Sequence, residues 1–352
     1  MCGVCSNHCA SLNNPGFTDK TLENFIATGK HRFVLGQPHE GKRLRSFGSV
    51  SCITMIYQQF FTLYCFSYKK SGAHPFHHHR SPYLFESCMM AAMSTAPLLI
   101  AFLHLAPTPG DIVGNRRLIE QAIIAAAQGG ASWILTPELV VCGYSFSERI
   151  GTDWIIPQPD RWMKEMGRLA TRLRITLFLS HPERDRETGM LHNSLFVLTA
   201  NGALAGLHRK IHTLRVGSES WSTPGTHAIP ISVPPLERVG LLICADAFSP
   251  AIATRLQQQG ARLLVSAAAW APGHHGPNGE WERCTKETGL PLFVCNRTGP
   301  DLTMNFTKAE SVVARDGVRL LSMSAIRSTI FMIEWDLSSR TLVSPSYDRI
   351  EL

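Results

Sequence analysis

Three residues whose side chains can do chemistry stand where apolar runs stop. Val239-Gly240-Leu241-Leu242-Ile243 runs straight into Cys244, and Ala245-Asp246-Ala247-Phe248-Ser249-Pro250 then opens a helix. A nucleophile at such a strand-to-helix turn is held out of the sheet, with the backbone N–H groups of the turn aimed at the same spot. Those groups can stabilise an oxyanion. The plainer alternative is a buried cysteine acting as a small hydrophobe. Two further run ends weigh against it. Thr136-Pro137-Glu138-Leu139 puts a carboxylate at the end of one run, and Leu207-His208-Arg209-Lys210-Ile211-His212 puts an ammonium at the end of another. Each alone reads as a solvated charge. Together, a thiol, a carboxylate and an ammonium at three strand exits can converge on one cleft, where open α/β sheets place their sites. The chemistry that needs this trio is acyl transfer through a thioester.

The elements that must position them alternate from Pro97 onward. The apolar run 98–103 predicts a strand buried on both faces. Asp111 can cap the helix that follows, where apolar residues recur at three and four, and Gly129-Gly130 ends it. Further strands are expected at 132–135, 175–180, 194–199, 203–208, 239–243, 262–266 and 292–295, with closing strands at 309–314 and 328–335. Helices are expected at 159–174, 252–259 and 281–288, the first packing Trp162, Met163 and Met166 on the core. This order means α/β layers with a mixed sheet. No internal repeat and no Gly-rich phosphate loop is present, so a nucleotide site has no support.

The segments Pro137-Glu138-Leu139 with Gly143-Tyr144, His208-Arg209-Lys210-Ile211-His212 and Leu242-Ile243-Cys244-Ala245-Asp246 resemble the three signature blocks of the nitrilase superfamily of carbon–nitrogen hydrolases. His192-Asn193-Ser194, Pro224-Gly225, Gly260-Ala261-Arg262 and Asn296-Arg297-Thr298-Gly299 match supporting blocks in order. The resemblance runs from about Pro97 to near the C-terminus and covers nothing before residue 93. It implies a four-layer αββα sandwich, usually paired into a homodimer, that hydrolyses amides, carbamoyl amides or nitriles without metal or other cofactor. Carried over by position, Cys244 resembles the nucleophile, Glu138 the general base and Lys210 the oxyanion-stabilising cation. The backbone N–H of Ala245 would be a second donor. A free thiol titrates near ~8.5, so it needs such a base or cation at neutral pH. Glu219 is the candidate for the family's second glutamate, positioning substrate or tuning Lys210 and Glu138. Trp221 stands three residues before Pro224, whereas the family usually has an aromatic two before it.

Departures from the family pattern concern substrate. True nitrilases usually follow the cysteine with Trp-Glu; Ala245-Asp246 is closer to amidases and carbamoylases. Relatives acting on carboxylated substrates commonly have Arg where Phe248 stands, and an apolar ring cannot form a bidentate carboxylate pair. The expected substrate is therefore a neutral or apolar small-molecule amide. Tyr144, Phe248, Trp270, His274 and His275 are the candidate substrate-binding residues, the last two in a Gly/Pro-rich loop. Acyl transfer or glutaminase-type amide transfer on the same thioester is the alternative activity. A non-catalytic scaffold and a histidine metal hydrolase are weaker readings, the latter because seven of the fifteen histidines precede residue 93.

Charge and cysteine content agree with a cytoplasmic enzyme. The net charge of +7 is concentrated early: residues 1–92 hold nine Lys/Arg and four Asp/Glu, leaving 25 and 23 for 93–352. A nearly neutral main part makes a nucleic-acid surface a poor default. Cys142, Cys244, Cys284 and Cys295 are too scattered for a disulfide framework, which suggests a reducing compartment. Residues 1–92 show no sustained period and read as a disordered extension, or as sequence upstream of a start at Met89, Met90 or Met93. Residues 93–352 form the hydrolase domain. Cys2, Cys5, Cys9 and His8 have metal-ligand types but no second half-site. The uncharged stretch 46–68 follows Lys42, Arg43 and Arg45 but is diluted by polar residues, so a membrane anchor is not the expectation.

Overall fold

The computed structural model describes residues 96–352 apart from 215, 216, 274 and 303, all within the unit Arg80–Leu352. The readings for 1–92, including the cysteine cluster and 46–68, lie outside the described residues. Among the described residues, no helix is long and apolar enough to cross a membrane.

Strands β1 (Leu98–His104), β2 (Trp133–Leu135) and β3 (Thr176–Arg184) pair in parallel at the centre of an eight-stranded sheet. Antiparallel β4 (Leu191–Leu198) and β5 (Leu204–Arg209) extend one side. On the other side β12 (Thr329–Asp336) pairs with β1 and carries β13 (Thr341–Leu342) and β14 (Asp348–Glu351). A six-stranded sheet has the same plan. Parallel β7 (Leu236–Ile243), β8 (Leu263–Ala268) and β9 (Leu292–Asn296) are flanked by antiparallel β6 (Ile231–Val233), β10 (Ser311–Arg315) and β11 (Val318–Met323).

Side-chain alternation along a strand sends successive residues to opposite faces, and here both faces are apolar. Ile100, Phe102, Trp133, Leu135 and Phe178 pack with the six-stranded sheet, Phe102 meeting Phe293 edge-on at 6.1 Å. Ala101, Leu103, Ile134 and Leu177 face α1 (Ile112–Gln128) and, past the one-turn α2 (Ser147–Ile150), α3 (Arg161–Leu173); α1 and α3 bury Ile119, Ile123, Met163 and Met166 against them. Asp111 caps α1 by accepting the Gly114 amide at 2.9 Å, and Asp160 caps α3 from Met163 at 2.7 Å. Helices α4 (Pro250–Gln258) and α5 (Glu280–Thr288) join the core of the six-stranded sheet through Ile252, Leu256 and Trp281. Gly240 lets α4 approach β7: a Cβ there would lie 2.7 Å from Leu264 and 3.0 Å from Leu256. The result is the αββα sandwich.

Candidate active site

Glu138, Lys210 and Cys244 follow the C-terminal ends of β2, β5 and β7. Each is fixed by its own backbone surroundings. After β2 the Leu139 amide donates to Ser180 Oγ at 2.8 Å, and the Glu138 amide donates across to the Ala268 carbonyl of β8 at 3.2 Å. The second bond ties the glutamate of one sheet to the strand beside the cysteine in the other. The Lys210 amide donates to the Asn193 carbonyl at 2.8 Å, and its carbonyl accepts the Gly225 amide at 2.7 Å. A Cβ on Gly225 would lie 2.3 Å from the Arg209 carbonyl oxygen, so the Pro224-Gly225 turn needs glycine to close on this strand end.

Cys244 has φ of 45°, a left-handed conformation that costs energy in a non-glycine residue. It begins a 3-10 turn, Cys244–Phe248, that leads into α4. The first amides of such a turn have no acceptor within it, and that of Ala245 is among them.

The ionisable groups meet in a buried cluster. Lys210 and Glu138 are fully buried, Glu219 is 1% exposed and Cys244 5%. The Lys210 ammonium donates to Glu138 Oε1 at 2.8 Å and to Glu219 Oε2 at 2.9 Å. Asn193 Nδ2 donates to Glu138 Oε1 at 2.8 Å and Glu219 Oε1 at 3.0 Å, while the Ala269 amide donates to Glu138 Oε2 at 3.0 Å. Burial raises the Glu138 pKa, with Lys210 pulling it down and Glu219 pushing it up; it stays above the ordinary carboxylate range. Burial works against the Lys210 charge, but Glu138, Cys244 and Glu219 hold its pKa well above that of an ordinary lysine. Burial and the nearby Glu138 push the Cys244 thiol well up despite Lys210. The resting state is therefore a neutral thiol beside a carboxylate of increased basicity and a locked ammonium.

Of the remaining candidates, Tyr144 is buried edge-on to Phe306 at 6.3 Å, and its hydroxyl feels Glu138, Lys210, Glu219 and Cys244. Phe248 is 39% exposed and packs at 4.8 Å on Trp270 and 5.7 Å on His212. Trp270 is buried and donates its indole N–H to the His275 carbonyl at 3.2 Å. His274 lies outside the described residues. Asn193, Asp246 and Ala269 were not anticipated as site residues. The first two belong to blocks visible in the sequence, but a block does not say which groups its side chains touch; Ala269 contributes only a backbone amide, which no side-chain pattern marks. Among the described residues, no group of three or more His, Cys, Asp or Glu could hold a metal ion.

The sequence and the fold have counterparts among known proteins. The family model described as carbon-nitrogen hydrolase matches residues 99–340. A Schizosaccharomyces pombe protein named as a probable nitrilase is 24% identical over 255 residues, covering 70% of this chain and 92% of its own. A citrullinase of Francisella tularensis is 25% identical over 243 residues, covering 64% and 84%. A variant amidase of Nesterenkonia sp. AN1, described with the acetamide moiety of fluoroacetamide added covalently at its active-site cysteine, shares the fold. Its TM-score is 0.60 at 22% identity, over 69% of this chain and 91% of that one. With the matched region spanning both sheets and every residue of the buried cluster, the chain belongs to the carbon–nitrogen hydrolase family, in the nitrilase superfamily.

Proposed function

We propose that this protein hydrolyses a neutral or apolar amide, or carbamoyl amide, through a thioester on Cys244. The observation that carries this reading is the strained left-handed Cys244 beside the buried Glu138–Lys210–Glu219 cluster. In the proposed cycle the Cys244 sulfur attacks the amide carbon as Glu138 takes the thiol proton. The Lys210 ammonium and the Ala245 N–H stabilise the tetrahedral oxyanion. Collapse breaks the C–N bond, and Glu138 gives its proton to the departing ammonia or amine. Glu138 then takes a proton from water as that water attacks the thioester, and the second collapse returns the proton to Cys244 and frees the acid. Glu219 and Asn193 keep Lys210 and Glu138 in place throughout.

Phe248 supports the substrate reading. Its partly exposed ring follows the nucleophile on the same turn and packs on Trp270, presenting an apolar surface. The covalent adduct described for the Nesterenkonia amidase and the name of the Francisella citrullinase support a cysteine route and a carbamoyl-type substrate. The four described cysteines are free thiols, which supports a reducing compartment. A homodimer is the assembly inferred from the family resemblance.

The test is a panel of apolar amides, carbamoyl compounds, ω-amido acids and nitriles assayed for ammonia and acid, with intact-mass detection of the acyl-enzyme. Free acid and an adduct on Cys244 support the proposal. An acyl group passed to an added amine in preference to water would favour acyl transfer. Near-normal turnover by Cys244→Ser would overturn the mechanism.

A further inference from the structure

The Asp246 carboxylate is fully buried and accepts four hydrogen bonds from two separate stretches of chain. Oδ1 takes the amides of Ile211 at 3.0 Å and His212 at 2.8 Å; Oδ2 takes the amide of Ile243 at 2.9 Å and the Nε2–H of His208 at 2.8 Å. Ile243 immediately precedes Cys244, Ile211 immediately follows Lys210, and His208 lies two residues before that lysine. One side chain thus holds the His208 ring before the ammonium, the backbone just after it, and the backbone entering the nucleophile turn.

We propose that Asp246 is a positioning residue that sets the placement of Lys210 relative to Cys244, with the buried His208 as its anchoring partner. The proposal rests on the thioester reading for its catalytic meaning, but the connection itself belongs to the resting protein. Cys244 sits in an unfavourable backbone conformation, which persists only where surrounding bonds over-determine it. The Asp246–Ile243 bond is one such constraint. Its three partners around Lys210 come from the other sheet's β5 and the loop after it, so releasing the carboxylate lets the two groups shift independently. A misplacement of about 1 Å in such a site can cost ~10²-fold in rate.

The connection makes a prediction that simple loss of packing does not. Lys210 favours the thiolate of Cys244. If the ammonium drifts away, the thiol loses that help and deprotonates at higher pH. The test measures carbamidomethylation of Cys244 by iodoacetamide against pH in the full-length protein, alongside thermal unfolding. Asp246→Asn should slow labelling at least ~10-fold at neutral pH and move its midpoint upward. His208→Phe, which removes one of the four bonds, should move it in the same direction. His208→Gln, whose amide can still donate to Asp246, should stay near the wild type.

A wild-type midpoint in both Asp246→Asn and His208→Phe would overturn the proposal, even if their melting temperatures fall. Should Asp246→Asn not fold, the contrast between His208→Phe and His208→Gln decides by itself. The thioester reading fails separately, through wild-type protein that forms no acyl-enzyme and no acid from the amide panel. The iodoacetamide result does not depend on that outcome.

Discussion

The Ala269 amide donates to Glu138 Oε2 at 3.0 Å. One backbone group just past β8 of the six-stranded sheet therefore holds a carboxylate oxygen of the residue that follows β2 in the other sheet. Oε1 accepts from Lys210 and Asn193, so both oxygens of this carboxylate are held by donors.

Glu138→Gln should reduce kcat/KM by about 10³-fold, within the range for general acid–base groups. The amide has no basic oxygen for the thiol proton, and its NH2 must face a donor on either side. In the proposed mechanism, turnover needs Glu138 ionised. Since burial raises its pKa, activity should fall with acidification through a limb above 4.5, the ordinary value for this carboxyl. A kcat/KM profile flat down to that value would contradict its role as base.

Cys244 should react with iodoacetamide faster than Cys142, Cys284 or Cys295. Burial raises all four thiols, so acidity alone does not distinguish them. Access does: Cys244 retains 5% exposure and the other three none. Cys244→Ser should retain the fold and lose activity by at least ~10³-fold, because a carboxylate is too weak a base for serine's hydroxyl. Peptide mapping of the alkylated protein and a thermal melt of the variant check the two halves.

Much of this arrangement was legible in the sequence because apolar runs carry it. The runs ending at Ile243, at Leu135 and near His208 became strands, and the thiol, carboxylate and ammonium that follow them lie in the buried cluster. β6 and β11 were not expected. Ile231-Ser232-Val233 is only three residues between prolines, and β11 mixes Arg319 and Ser322 with apolar residues because it is an edge strand with a half-exposed face. β3 runs four residues past the expected end at 180, since Pro182 looks like a terminator until its register opposite Asn193 is known. Asn193 and Asp246 matter through bonds to residues 55 and 38 positions away, to Glu138 and His208. Local periodicity carries no information at that range.

Stability should decline as pH falls from 6.5 toward 4. His104 and His181 are buried, and desolvation holds each imidazole at about 4 against 6.5. The unfolded chain takes up these protons below 6.5 while the folded chain refuses them until about 4. The stabilisation is therefore complete above 6.5 and lost across that window, by about 3 kcal/mol per histidine at most. Glu138, with its raised pKa, acts in the opposite sense, so the test is a difference. His104→Asn can keep the bond to Ser311 while removing one titrating ring. Its urea midpoint should be lower at pH 7.5 but change less between pH 7.5 and 5 than that of the wild type. Parallel slopes would show that His104 is not a source of the pH dependence.

Phe248→Arg should shift preference toward amides that carry a carboxylate. Residue 248 closes the 3-10 turn begun by Cys244, and its ring rests on Trp270 and His212 while 39% exposed. A guanidinium there could offer paired N–H donors to a carboxylate, a geometry phenylalanine cannot supply. Partial exposure weakens the pair, so the expected change in kcat/KM ratio is about 10-fold rather than the larger values of dry sites. The cost should fall on uncharged substrates, which lose an apolar surface and meet an unpaired charge. The comparison uses an ω-amido acid and the uncharged aliphatic amide of equal length, each assayed with both proteins. A ratio that rises mainly through KM for the acid indicates binding at this point. An unchanged ratio, or wild-type protein that already prefers the acid, would place the substrate's carboxylate elsewhere and remove Phe248 from the specificity surface.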